Sequence, residues 1–164
     1  MSTGVSDKPA DVALVLKDQA FPLLRIAIIA SSDLYTDRDF IASLLEKAGC
    51  AVWTDACLLP GQDWALEESK ALRNAHFILV LTSRKSPSME GAWQGQIKKA
   101  LGVYDQKPEG TIHIIPCLME SCDGFRSLEQ FYPVKLYEGL PAWKKLITAF
   151  ATEWQKRTKT GTWH

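Results

Sequence analysis

The sequence predicts an α/β protein built on a doubly wound, five-stranded parallel sheet. Short apolar runs rich in β-branched residues alternate along the chain with stretches whose apolar residues recur at helical spacing. The apolar runs are nearly continuous, which is typical of strands buried on both faces. The length of 164 residues fits a single domain. The pattern and the length therefore favour one layered domain.

The elements follow in order along the chain. Thr36 and Asp39 resemble a capping box at the start of the first helix, and Gly49 is typical of the residue after its end. Pro60 and Gly61 mark the turn of a loop over 55–63. The predicted strands are 24–30, 50–54, 76–82, 111–118 and a weak 133–137, and the predicted helices are 36–48, 64–74, 90–104 and one that follows Pro141. This order suits a flavodoxin-like fold, in which ligands bind beyond the carboxyl ends of the strands.

Composition excludes several classes of protein. Lys plus Arg and Asp plus Glu are 19 each, so no net charge draws the chain to nucleic acid or to an anionic membrane. No apolar run approaches the ~20 residues of a membrane span, and the first ten residues lack the apolar core of a secretory signal. Four cysteines without a C-x-x-C motif favour free thiols and no metal site. We expect a cytoplasmic protein with a leader of uncertain order (1–22), one domain (23–158) and a tail (159–164).

Three motifs lie where a ligand site of this fold is expected. The first is the polar turn Ser31-Ser32-Asp33 after the first strand. The second is the segment 52–64, which reads VWTDACLLPGQDW and joins a strand to an acidic residue, a Leu-Pro-Gly turn and an aromatic residue. The third is the segment 91–101, which reads GAWQGQIKKAL and opens a helix. The order and spacing of the three motifs are more specific than any one of them.

Together these motifs resemble a Toll/interleukin-1 receptor (TIR) domain of the bacterial kind. Members of that family typically show V-W-x-D, a "BB loop" with L-x-P-G and an aromatic residue, and a helix that reads G-x-V-Q-x-E-I. This chain has Val52-Trp53-Thr54-Asp55, Leu59-Pro60-Gly61 with Trp64, and the segment 91–97. The resemblance extends from about residue 24 to residue 150, and it implies the TIR fold.

The resemblance also implies an activity, because many bacterial TIR domains cleave the nicotinamide–ribose bond of NAD+, some of them in antiviral signalling. NAD+ would then be the substrate, and no other cofactor is implied. Gln96 stands where the family has its catalytic glutamate. The substrate-binding residues that the resemblance implies are Ser31, Ser32, Asp33, Leu59, Gly61, Trp64 and Trp93, and the implied partner is a second copy, bound through the loop Asp55 to Trp64. We expect Gln96 to face a cleft whose opposite wall is the turn 31–33.

Several alternatives stay open at this point. Glutamine at position 96 fits a deliberate near-isosteric exchange, which the otherwise intact motif favours, or a natural interaction domain without catalysis. Gln96 could also be a solvated helix residue, and Trp93 could pack in the core. The turn 31–33 could merely cap the next element. The rival functions are a non-catalytic TIR–TIR adaptor or effector module and, with less support, a nucleotide-binding flavodoxin-like domain.

Overall fold

The structure is a computed structural model, and it describes residues 23–160. The leader, including a strand or short helix considered for 12–16, lies outside the described residues, as do residues 161–164. The last helix continues to Thr160. No helix within the described range is long and apolar enough to cross a membrane.

The prediction of a five-stranded parallel α/β sheet is confirmed. The strands lie in the order β2-β1-β3-β4-β5, and every neighbouring pair is parallel. The strands are β1 Arg25–Ala30, β2 Ala51–Trp53, β3 Phe77–Thr82, β4 Ile114–Leu118 and β5 Val134–Lys135. The helices are α1 Tyr35–Lys47, α2 Trp64–Asn74, α3 Ala92–Tyr104 and α4 Leu140–Thr160. Chain order reverses between β1 and β3, so the switch point of the sheet lies at the carboxyl ends of these two strands.

Each face of the sheet has its own apolar core. On one face, Ile26, Ile28 and Leu79 pack with side chains of α1 and α4. On the other face, Ile29 and Val80 pack with side chains of α2 and α3. The nearly continuous apolar strands follow from this arrangement, because successive side chains of one strand enter opposite cores.

The start of α1 differs from the sequence prediction. A 3₁₀ turn over Ser32–Leu34 leads directly into the helix, which begins at Tyr35 and has no side-chain cap. Thr36 and Asp39 therefore lie inside the helix, and the predicted capping box is wrong. Gly49 follows the end of α1 with a φ of +97°, as predicted. Helix α2 has the predicted bounds, whereas β4 and β5 are shorter than predicted.

Candidate functional site

A cluster of hydroxyl groups around one carboxylate occupies the switch point of the sheet. We call Ser31, Asp33, Ser83 and Ser86 the serine cluster. The Ser31 and Ser86 Oγ atoms are 2.7 Å apart, and the Ser83 and Ser86 Oγ atoms are 2.9 Å apart. Ser83 Oγ donates to Asp33 Oδ2 at 2.7 Å, and Ser31 Oγ donates to the other oxygen of the same carboxylate. The cluster thus joins the loop after β1 to the loop after β3.

The carboxylate of Asp33 is held at the surface by buried neighbours. Ser31, Ser83 and Ser86 are buried, whereas Ser32 and Asp33 are exposed. Burial alone would raise the pKa of Asp33, but hydrogen bonds from Ser31 and Ser83, together with the nearby Lys85, lower this pKa below its usual value. Asp33 is therefore an ionised acceptor at neutral pH, at the edge where ligands of this fold bind.

A polar cleft of about 540 Å³ lies beside the serine cluster, at the carboxyl ends of β3 and β4. Arg84 forms one side of it: its Nε donates to the Ser121 carbonyl oxygen at 2.9 Å, and its backbone N–H donates to Glu120 at 2.9 Å. The lining residues are Ser83, Arg84, Pro87, Ser121, Cys122, Asp123 and Gly124. The cleft suits a polar ligand. Within residues 23–160 no group of His, Cys, Asp or Glu side chains is placed to hold a metal ion.

The loop after β2 presents apolar side chains to solvent. Asp55 at its start is paired with the buried Arg38 of α1, and Asp63 at its end caps α2 by accepting from the Leu66 N–H at 3.2 Å. Gly61 has a φ of +88°, which disfavours any other residue there. Leu59 keeps 65% of its surface exposed and Trp64 keeps 51%. The loop is anchored at both ends and apolar at its tip.

A second polar group lies between α2 and α3, and we call Glu68, Gln96 and Lys99 the α2–α3 cluster. Glu68 is only 1% exposed although it carries a carboxylate. Gln96 Nε2 donates to Glu68 Oε2 at 3.0 Å, and Lys99 Nζ lies 2.7 Å from Glu68 Oε1. Each oxygen of the carboxylate thus has a partner on α3. A buried carboxylate needs such partners, because removing its charge from water is costly.

The two tryptophans assigned to the site have different surroundings. Trp93 is buried in the core between the sheet and α3, and its indole N–H has no hydrogen-bond partner among the described residues. A side chain at Gly91 would overlap the Trp93 ring, so this ring position requires glycine there. Trp64 opens α2, and its ring centre lies 5.7 Å from Lys99 Nζ. Trp93 therefore packs, whereas Trp64 remains accessible.

A sequence model described as the TIR domain matches residues 31–149, which is more than half of the chain. The chain belongs to the TIR-domain family. No curated protein compared with the chain matches it significantly. The TIR-domain family includes NAD+-cleaving members, and its domains generally self-associate. We keep the name BB loop for residues 55–64.

The TIR fold brings some of the predicted site residues together and separates others. Ser31 and Asp33 meet in the serine cluster, while Leu59, Gly61 and Trp64 lie on or beside the BB loop. Gln96 does not point into bulk water, since it is 4% exposed and bonded to Glu68. No hydrogen bond or ion pair found within residues 23–160 joins Gln96 to the turn 31–33, so the two expected walls of the cleft belong to separate polar networks.

Sequence reasoning missed four residues that build these clusters. Ser83 and Ser86 lie in a polar segment after β3, and Lys99 follows the exposed Lys98 on α3, so no motif assigns a role to any of the three. Glu68 went unnoticed, although the sequence carries a signal: it lies four residues before the buried Leu72, on the apolar stripe of α2. A carboxylate on such a stripe needs a partner from another element.

Proposed function

We propose that this TIR domain cleaves the nicotinamide–ribose bond of NAD+, as a glycohydrolase or an ADP-ribosyl cyclase, in bacterial antiviral signalling. The observation that carries the proposal is the α2–α3 cluster: position 96, where the family has its catalytic glutamate, is buried and hydrogen-bonded to a carboxylate. The presence of NAD+-cleaving members in the TIR-domain family supports it.

Cleavage of the nicotinamide–ribose bond needs little help from an acid catalyst and more from a hydrogen-bond acceptor beside the ribose. Nicotinamide leaves as a neutral group from a cationic precursor, and the ribose passes through an oxocarbenium-like state. An acceptor that binds the ribose hydroxyls favours that state, and a negative charge favours it further. Gln96 keeps the acceptor oxygen and loses the charge. We therefore expect an activity about 10²–10³-fold below that of a TIR domain with glutamate at this position.

The remaining roles follow from exposure and charge. We assign Ser31, Ser32 and Asp33 to contacts with NAD+. Asp33, an exposed ionised acceptor at the switch point, is assigned to the ribose hydroxyls, and the hydroxyls of Ser31 and Ser32 are assigned to the ribose or the phosphates. Trp93 is assigned to the wall behind the nicotinamide ring, because it lies three residues before Gln96 on α3 and its buried indole N–H has no partner among the described residues. These assignments depend on a cleft that opens between the serine cluster and α3 when the substrate binds.

Self-association through the BB loop completes the proposal. Leu59, Trp64 and Leu66 expose 65%, 51% and 47% of their surface, and Leu58 is half-buried beside them. Exposed apolar side chains on an anchored loop and on the first turn of the helix that follows it are suited to the centre of a protein interface. We assign this surface and Gly61, whose conformation shapes the loop, to contact with a second copy of the chain.

The experiment measures nicotinamide release from NAD+ by chromatography, with the protein free in solution and tethered densely to beads to promote assembly. The wild type should be slow, Gln96→Glu should become faster as pH rises, and Gln96→Ala should be inactive. Glu67→Gln, at the half-buried neighbour of Glu68 on α2, should match the wild type. Silence of the wild type, of Gln96→Glu and of the double variant Glu68→Gln/Gln96→Glu in both settings would refute NAD+ cleavage.

The second candidate is a non-catalytic TIR–TIR interaction module. The Glu68 charge is balanced by Lys99, and Gln96 exposes only 4% of its surface, which gives a substrate little access in the isolated domain. In this case Leu59→Asp should abolish self-association measured by analytical ultracentrifugation. Tyr132→Asp, at an even more exposed site just before β5, should not. Loss of assembly together with silence toward NAD+ would select this candidate.

A further inference from the structure

The amide of Gln96 has a fixed orientation, because its neighbour can only accept hydrogen bonds. Glu68 Oε2 lies 3.0 Å from Gln96 Nε2. An ionised carboxylate repels a carbonyl oxygen at that distance, so the NH2 end of the amide must face Glu68. The carbonyl oxygen Oε1 is therefore directed away from Glu68.

Lys99 maintains this arrangement from the same helix as Gln96. Its Nζ lies 2.7 Å from Glu68 Oε1 and balances the buried charge. The Trp64 ring lies 5.7 Å from the same ammonium group, which adds a weak cation–π attraction. Glu68 and Gln96 are each the fifth residue of their helix, so the contact lies near the ends of α2 and α3 that follow the carboxyl edge of the sheet.

The carbonyl oxygen of Gln96 remains available to a ligand. Among the described residues no group donates a hydrogen bond to Gln96 Oε1, and this oxygen is not one of the enclosed atoms that lack a partner. It therefore keeps some contact with solvent although the side chain is almost buried. Position 96 thus presents an acceptor oxygen to a ligand, while one hydrogen of its NH2 group is bonded to Glu68.

We infer that Glu68, balanced by Lys99, is a positioning residue that holds the Gln96 amide with its acceptor oxygen toward the ribose hydroxyls of the substrate. The inference rests on the proposed NAD+ cleavage and explains how glutamine can serve there. In this chain the carboxylate of the site is then Glu68 on α2, whereas the family has a glutamate at position 96 on α3. Without Glu68 the amide could turn and present its NH2 group, which cannot accept a hydrogen bond from a hydroxyl.

The same geometry explains why glutamine suits position 96. A glutamate there would place two carboxylates in contact within a buried site, and two such groups share a proton rather than both ionise. The activity of Gln96→Glu alone is therefore an ambiguous test, because the new carboxylate shares a proton with Glu68. The exchange variant Glu68→Gln/Gln96→Glu moves the carboxylate to α3 and keeps one negative charge beside Lys99.

The experiment compares nicotinamide release by the wild type, Glu68→Gln, Gln96→Glu and the exchange variant, each tethered densely to beads. Glu67→Gln is the matched control, since it removes a carboxylate one residue away whose recorded partner, Lys70, is exposed. Thermal unfolding of each variant checks the fold. We expect Glu68→Gln to lower kcat about 10²-fold with little change in KM. The exchange variant should recover the wild-type kcat or exceed it.

The pH profile gives a readout that a purely structural role would not change. Gln96→Glu should gain activity as pH rises, because its shared proton must leave, whereas the exchange variant should lack this added dependence. Three results overturn the inference while NAD+ cleavage stands. These are an unchanged kcat in Glu68→Gln, a folded exchange variant as slow as Glu68→Gln, and a silent wild type beside an active exchange variant. Silence of all four proteins overturns the proposed function itself.

Discussion

The serine cluster and the α2–α3 cluster both place polar groups next to the apolar core of one sheet, but they manage charge in opposite ways. In the serine cluster, neutral hydroxyls are buried and the charged group, Asp33, is exposed. In the α2–α3 cluster the carboxylate itself is buried, and the partly exposed Lys99 balances it. The first cluster depends on hydrogen bonds and the second on an ion pair.

This difference predicts which side chains each cluster can lose. Removing one partner of a buried ion pair leaves an uncompensated charge in a poorly solvated place, which is more costly than losing a neutral hydrogen bond. Removing a charge that water already solvates costs less than either. Three substitutions test this ranking, and the first two have a matched control variant.

The largest effect is expected at the ion pair. Lys99→Met should lower the free energy of unfolding by about 3 kcal/mol, because Glu68 then lacks its countercharge. Lys98→Met, at the exposed neighbour on α3, should change it by less than about 0.5 kcal/mol. Urea unfolding at neutral pH measures both values. Equal stabilities of the two variants would mean that water, rather than Lys99, stabilises the carboxylate.

A smaller loss is expected inside the serine cluster. Ser86 is completely buried, and its Oγ accepts from the Ser83 N–H at 2.9 Å. Ser86→Ala should therefore lower the free energy of unfolding by about 2 kcal/mol, since the Ser83 N–H and the neighbouring hydroxyls then lose a hydrogen-bond partner. Ser88→Ala, at an exposed position of the same loop, is the control in the same urea experiment. A cost as small as that of the control would show that the cluster admits water.

The smallest effect is expected at Asp33 and depends on pH. Burial raises the pKa of Asp33, but its hydrogen bonds outweigh burial and lower this pKa in the folded protein. Ionised Asp33 therefore contributes stability above pH 3.8, the ordinary pKa of the group. That stability is lost as pH falls through the lowered pKa. Asp33→Asn should cost about 0.5–1 kcal/mol at neutral pH, because solvent screens the exposed group. The difference from the wild type should vanish in acid, whereas the cost of Ser86→Ala should persist. A difference that grows in acid would contradict the direction of the pKa shift.

The fold followed from sequence because its signals are local. Periodicity and the capping residues gave the helices, and α2 agrees with the prediction at both ends. The predicted start of α1 was wrong because Thr36 and Asp39 have the spacing of a capping box, whereas the 3₁₀ turn before Tyr35 already directs the chain into the helix. Local spacing cannot distinguish these two beginnings.

The site was only half predictable. Ser31, Asp33, the BB loop and position 96 could be found because motifs mark them. Glu68 could not, since its partners Gln96 and Lys99 are 28 and 31 residues away along the chain. The local sequence does not indicate whether a carboxylate on a helix is solvated or paired with an ammonium group.

By itself the sequence determined the parallel sheet, its two-sided burial and the resemblance to the TIR family, because these depend on residue order and on patterns within one element. The tertiary structure decided which charges are compensated. It placed Glu68 against Gln96 and Lys99 and gathered Ser83 and Ser86 around Asp33. The physical reason is that the cost of a buried polar group depends on its nearest partners, and only packing brings those partners from distant segments into contact.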